Sequence, residues 1–258
     1  MNTHQDTMKH TFMPEGAFTS YLVPAGLALA VLAGIAEAFA GFGTRWAWWH
    51  FTTGFAILRW AAIAGLVASI LSLTGGIALR HAAKRAVLLM AAAGILIGLA
   101  VAGIPWSWMR TAQQVPRIHD ITTDPADPPR FAAILPLRKD AVNPAEYGGP
   151  AVAAQQWTAY PDIAPVILPV PQSTAFERAL RAATDMGWQI VDANAGEGRI
   201  EATATTFWFG FKDDVVVRIL PAPEGSRVDV RSLSRVGVSD VGTNAKRVRD
   251  FLHKLEHG

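Results

Sequence analysis

The sequence predicts a membrane-anchored α+β protein: three transmembrane helices, then a soluble domain with an antiparallel sheet of about four or five strands and two helices on one face. Three observations carry this. Three apolar stretches before residue 110 are each long enough to span a bilayer. Charge is sparse there and dense afterwards. From residue 172 onward, helical and strand periodicities alternate, with turn chemistry between them.

Of the 258 residues, 51% are hydrophobic and 17% charged, and the apolar surplus is concentrated in the first part. A bilayer core of roughly 30 Å needs about 20 apolar residues in a helix. Tyr21 to Phe42, Thr53 to Thr74 and Ala86 to Trp106 each meet that length. Soluble helices that are apolar on every side are rare, so three in succession point to membrane spans. A secretory leader competes for the first stretch, because Lys9 precedes an apolar run ending in Ala38 to Ala40. The acidic Asp6, Glu15 and Glu37 argue against cleavage there.

Orientation follows from the loops. The segment Arg80 to Arg85, RHAAKR, is the densest short basic run, and such loops stay in the cytoplasm. The N-terminus is then cytoplasmic and everything after Trp108 is outside. The expected arrangement is a membrane anchor with an exported C-terminal domain. Trp46, Trp48, Trp49, Phe51, Trp106 and Trp108 would form the aromatic belt of the outer interface. Up to residue 110, seven Lys and Arg face three acidic residues; beyond it the numbers are sixteen and eighteen. The basic pI of about 9.1 thus belongs to the anchor. An acidic exported domain disfavours nucleic acid as a partner.

Two ionisable residues lie within the spans, Glu37 about five residues from the outer end of the first and Arg59 about six from that of the second. At 1.5 Å per residue both sit roughly 8 to 10 Å deep, which predicts an interhelical Glu37–Arg59 ion pair. Gly26, Ala30, Gly34 and Ala38, and again Gly94, Gly98 and Ala102, recur at or near four-residue spacing and allow close helix approach. Membrane lipids are expected partners, and a homo-oligomer face is the rival use of the small residues.

The expected organisation is an anchor over 1–110, a Pro-rich extended arm over 111–171 and an α+β core over 172–258. Prolines remove donors and extend the preceding residue, so the arm reads as irregular chain lying over the core. Short strands are expected in Arg130 to Leu135 (RFAAIL) and Pro165 to Val170 (PVILPV). In the core, Thr174 and Glu177 have capping-box spacing. Phe176, Ala179, Leu180, Ala183 and Met186 follow at helical intervals, and Gly187 stops the helix. Four strand-like runs between Trp188 and Leu233 are broken at Ala195 to Gly198, Gly210 to Asp213 and Ala222 to Ser226. Ile200, Ala202 and Ala204 share one face and Arg199, Glu201 and Thr203 the other. A final helix carries Val248, Phe251, Leu252 and Leu255 on one stripe.

No complete catalytic set is present. With no cysteine there is no thiolate nucleophile, thiolate metal site or disulfide, and no motif calls for a cofactor. His119, Asp120 and Asp124 are proper ligands for a divalent metal, but a closed site wants more of them. Their other reading is that Asp120, Thr122, Thr123 and Asp124 bond backbone amides and turn the chain. Asp213 and Asp214 adjoin in a strand and point to opposite faces, so they make no acid–base dyad. The remaining candidate is a ligand-binding group of Arg218, Arg231, Arg235, Asp240, Asn244 and Arg247, where the start of the last helix would offer amides to an anion. The competing reading pairs Arg218 and Arg231 with Asp214, Asp229 or Glu201.

The stretches IHDITTDPADPP, YPDIAPVILPVP, FWFGFKDDVVVRI and VRSLSRVGVSDVGTNAKRVRDFL together resemble the bacterial and plastid family catalogued as domain of unknown function 1499, over about residues 113–255. The resemblance implies an extracytoplasmic domain, and with it a bacterial inner (cytoplasmic) membrane protein whose C-terminal domain is periplasmic; it supplies no catalytic residues. Two function classes follow: a non-enzymatic module binding an envelope protein or anionic ligand, and an envelope hydrolase or lipid-modifying enzyme using the acidic and arginine residues.

Overall fold

Hydropathy dictates the first unit. The computed structural model describes residues 15–81 and 83–257; Asp6, Lys9 and the Glu15 side chain lie outside that description. Three helices, α1 (Glu15–Arg45), α2 (Phe51–Leu79) and α3 (Arg85–Gln114), contain windows long and apolar enough to cross a membrane. The chain divides into two compact units, Met1–Ser107 and Trp108–Gly258.

Small residues set how closely the three helices pack. A Cβ on Gly98 would fall 2.3 Å from the Gly65 carbonyl oxygen, and one on Gly65 would fall 2.7 Å from the Gly98 carbonyl oxygen. Backbone therefore meets backbone between α2 and α3, and the Ser69 hydroxyl donates across that contact to the Ile95 carbonyl at 3.2 Å. Gly26 and Gly94 close in from α1 and α3 on Ser72. The small-residue stripes thus serve packing within one chain. On α1 the buried line runs through Val23, Gly26, Ala30, Ala33, Glu37 and Ala40, and Ala38 is exposed. Steps of four residues drift about 40° per step around a 3.6-residue helix, so the stripe read at fixed fourths leaves the interface.

That drift also decides the charges. Glu37 falls on the buried line, whereas Arg59, one residue beyond the buried Leu58, is exposed. The expected Glu37–Arg59 ion pair does not form, and Glu37 Oε1 is buried without a hydrogen-bond partner. Equal depth in two helices does not make two side chains face each other.

The second unit is an α+β domain around a six-stranded antiparallel sheet. Its strands are β1 (Asp120–Thr122), β2 (Val166–Leu168), β3 (Gln189–Asn194), β4 (Arg199–Thr205), β5 (Lys212–Ala222) and β6 (Gly225–Ser234). The order is β1-β6-β5-β4-β3, with β2 also pairing with β6. The four long strands are those expected from the sequence, but the second break falls at 206–211 rather than at Gly210 to Asp213, because Lys212 and Asp213 already pair with Thr205 and Ala204. Two three-residue strands from the arm, β1 against Arg231–Leu233 and β2 against Ser226–Val228, raise the count to six. PVILPV is indeed a strand. RFAAIL is not: its Ala132, Ala133 and Ile134 amides donate to the Glu201 carboxylate at 2.9, 3.1 and 2.9 Å. With its amides taken there, the chain runs into a short 3₁₀ turn, Leu135–Arg138.

Three helices complete the unit: α4 (Pro150–Ala159), α5 (Gln172–Asp185) and α6 (Thr243–His257). The principal core gathers Phe176, Ala179 and Ala183 of α5 and Val248, Phe251 and Leu255 of α6 over Ile200, Ala202, Val215, Val217 and Val230 of the sheet. The expected stripes on both helices are thus the buried ones. The capping box is not used, because α5 begins at Gln172 behind Pro171 and has no side-chain cap. Thr174 therefore lies inside the first turn. Gly187 ends the helix at φ +73°, a backbone geometry that glycine adopts without penalty.

Candidate functional site

The sheet carries a polar layer on each face, and each layer is covered. On the face away from α5 and α6 lie Glu201 and Thr203 of β4, Asp214 and Arg218 of β5, and Asp229 and Arg231 of β6. The register sets this, pairing Glu201 with Val216, Thr203 with Asp214, Arg218 with Asp229 and Val216 with Arg231. The sequence marked this as the polar side, and a polar side of an antiparallel sheet usually faces water. Here Glu201, Asp214, Asp229 and Arg231 are all buried. A second apolar cluster of Phe131 and Ile134 on Val216 and Leu233 seals the face beneath the arm.

Burial makes pairing obligatory, since an isolated charge in the interior is costly. Arg231 forms a bidentate pair with Asp120, Nε to Oδ1 at 2.9 Å and Nη2 to Oδ2 at 2.7 Å. Its remaining donors reach the Pro129 and Ala145 carbonyls at 3.2 and 2.8 Å. The guanidinium carbon lies 5.0 Å from the Phe131 ring centroid and 5.5 Å from that of Tyr147. Asp214 binds Arg138 at 2.5 Å and Arg235 through two bonds at 2.9 and 2.8 Å. Asp229 takes Arg218 at 3.0 Å and Arg227 at 3.0 Å. Burial, reinforced by the Asp120 charge and opposed by Arg231, pushes the Tyr147 phenol up to about 12.

On the helix-covered face, Arg247 of α6 binds Asp213 at 2.6 Å and the Ser232 hydroxyl at 3.0 Å, and also contacts Asn244 Oδ1. Asn244 donates to the His119 carbonyl and to Ser234 Oγ, both at 2.9 Å. Asp240 accepts the Gly242 and Asn244 amides at 2.9 and 2.7 Å, capping α6 with its carboxylate. Desolvation nevertheless raises its pKa, the two amides and Arg247 opposing and Asp213 assisting.

The six-residue ligand group therefore separates. Arg218, Arg231 and Arg235 lie under the arm, whereas Asp240, Asn244 and Arg247 lie under α6, with the sheet between. Arg218 pairs with Asp229 as the competing reading had it; Arg231 takes Asp120 instead. Asp213 and Asp214 do point to opposite faces.

The trio His119, Asp120 and Asp124 is not gathered for a metal. Both Asp120 oxygens face Arg231. Asp124 Oδ1 accepts the Ala126 and Asp127 amides at 3.1 and 3.0 Å, and its Oδ2 binds Arg227 at 2.6 Å. Among the described residues no three His, Cys, Asp or Glu form a metal-holding group. Asp124 and Thr122 do turn the chain through amides, but Asp120 is an ion-pair partner rather than a turn residue.

Two further residues carry the layer and gave no local signal. Gln156 of α4, fully buried, brackets Thr122 by accepting its amide at 3.0 Å and donating to its carbonyl at 2.6 Å, which closes the edge of β1 with a side chain. Arg138 sits in the 3₁₀ turn. An isolated Gln or Arg in a polar loop looks solvated until its partner in the fold is known. A shallow surface cleft of about 80 Å³ between α5 and α6 is lined by Arg178, Arg181, Asp185 and Lys254, with Lys254 held by Asp185 at 3.2 Å. It is well below the roughly 300 Å³ of an ordinary small-molecule site.

A family model described as Protein of unknown function (DUF1499) matches residues 120–255, just over half of the chain. No curated protein matches it.

Proposed function

The chain belongs to this DUF1499 family, and we propose that it is an integral protein of the bacterial inner membrane whose exported C-terminal domain is a non-enzymatic interaction module for an envelope protein or anionic ligand. The observation that carries the second part is the fate of the acids. Asp120, Asp213, Asp214 and Asp229 each sit in an ion pair with a buried or half-buried arginine, and the Glu201 carboxylate binds three amides. A general acid or base needs reach to substrate. Groups locked into pairs beneath the covering arm or beneath α6 favour shape over chemistry. The hydrolase or lipid-modifying alternative would need some of the same acids free.

The first part rests on the three apolar helices and on the exposed Arg80, Lys84 and Arg85 where α2 gives way to α3. Fusions decide it. A phosphatase that works only outside the cytoplasm is expected to be active after Gly258, and a fluorescent protein that matures only in the cytoplasm is expected to glow when placed in the 80–85 loop. The opposite pattern refutes the orientation.

For the domain, Asp120→Asn and Asp124→Asn are introduced singly in the full chain and followed by thermal unfolding and by cellular phenotype. Loss of folded protein with Asp120→Asn supports the structural role. A variant that stays as stable as the parent yet loses the phenotype supports the enzymatic reading instead.

A further inference from the structure

The pairing register places one set of loops together. Thr205 pairs with Lys212, Asp213 with Ser234, Asp120 with Leu233 and Gln189 with Thr203. The β4–β5 turn, the segment after β6 and the entry to β1 from α3 therefore all lie at the same end of the sheet. The segment after β6 is tied to that entry by the Asp240 amide, which donates to the Ile118 carbonyl at 3.2 Å. The arm returns there too, its Asn143 amide donating to the Arg235 carbonyl at 3.0 Å.

Large apolar side chains stand exposed at this end. Phe207, at the tip of the β4–β5 turn TTFWFGF, is 78% exposed; Val142 is 78% and Val238 63% exposed. The neighbouring Lys212 and Lys139 are exposed as well. Trp208 of the same turn meets Trp108 of α3 edge-to-face, with ring centroids 5.3 Å apart. Trp108 follows directly on the third apolar stretch, where a tryptophan marks the depth of the membrane–water interface.

We propose that this end of the sheet is a lipid-contacting surface, with the Phe207 turn seated in the headgroup region of the leaflet in which α3 ends. The occupant is the bilayer rather than a protein, because the turn is joined, within the second unit, by the Trp108–Trp208 contact to the chain that leaves the third apolar stretch. Aromatic side chains with flanking cations are also the composition that interfacial binding favours. This inference rests on the membrane reading above, and its test separates the two.

The chain has no cysteine, so single nitroxide labels can be placed on otherwise unaltered full-length protein. Phe207→Cys and Val238→Cys report on the surface, Leu66→Cys on exposed apolar α2, and Glu224→Cys on the turn at the opposite end of the sheet. In vesicles of phosphatidylethanolamine and phosphatidylglycerol, collision rates with oxygen and with a water-soluble nickel chelate are compared. The expected oxygen-to-nickel ratio at Phe207 and Val238 is several-fold above that of Glu224 and below that of Leu66. A ratio equal to that of Glu224 at either position overturns the lipid surface while Leu66 still reports lipid. Labels at 207 and 238 shielded from both reagents indicate a protein contact and overturn it too. An aqueous Leu66 label refutes the membrane reading itself.

Discussion

Asp120 and Arg231 are 111 residues apart and make a two-bond ion pair in which both side chains are almost fully buried. Neither a strand Asp nor a strand Arg signals such a partner, because polarity along a strand says only that a face is not apolar. Asp124 was more legible: a short acid among Thr, Ala and Pro caps local amides whatever the distant fold does. Breaking a buried pair from one side costs about 3–5 kcal/mol, because it strands the other charge. Arg231→Met is accordingly expected to lower the stability of the full chain by that amount in denaturant titration, with Asp120→Leu added to it recovering a large part. Tyr147 gives a spectroscopic readout. Its phenol is raised from 10.0 to about 12 by burial and by Asp120, with Arg231 opposing. Between those values the unfolded chain has lost the proton and the folded chain still holds it, so stability falls as pH rises from about 10 to about 12. The ultraviolet phenolate signal of Tyr147, isolated by difference from Tyr147→Phe, is expected to titrate near 12; a midpoint near 10 would contradict its burial against Asp120.

For whole elements, periodicity served well where one neighbour decided the outcome. The stripes of α5 and α6 bury against one face of the sheet and the long strands turn their apolar residues to those two helices, and a repeating apolar pattern records that directly. It served poorly where two neighbours compete. On α1 the buried line must satisfy both α2 and α3, and counting by fours carried Ala38 into it and left Glu37 looking ready for a partner on α2. RFAAIL has strand composition, yet one carboxylate from β4 takes three of its amides. The close approach of α2 and α3 is the sharpest test of packing here. Gly98→Leu places a side chain on the Gly65 carbonyl, and neither backbone can give way cheaply. A loss of at least about 1–3 kcal/mol is expected from overpacking, measured as a lowered thermal midpoint in detergent. An unchanged midpoint would mean that the two helices separate without cost.

Across the whole molecule, the proposed orientation rests on charge asymmetry. Arg80, Lys84 and Arg85 are the cations at the junction of α2 and α3, and each retained cation adds to the bias that sets topology. Replacing all three by Gln is expected to yield a mixed population in which part of the C-terminal reporter becomes cytoplasmic. A population as uniform as the parent's would show that other features fix the orientation. The arm matters at this scale too. Its prolines mark it as irregular chain, but it supplies two strands, α4 and the lid over the polar face of the sheet.

Composition and periodicity determined the division into three apolar helices and an α+β domain, the four long strands, and the core faces of the last two helices. These follow from local rules, because hydrophobic length and repeat are properties of neighbouring residues. Tertiary structure alone decided that both sheet faces are buried, that the six candidate ligand residues lie on opposite sides of the sheet, and that Glu37 is buried while Arg59 is exposed. Those outcomes depend on which distant segment covers which face, and a charged side chain reads the same in sequence whether water or a buried counter-ion completes it.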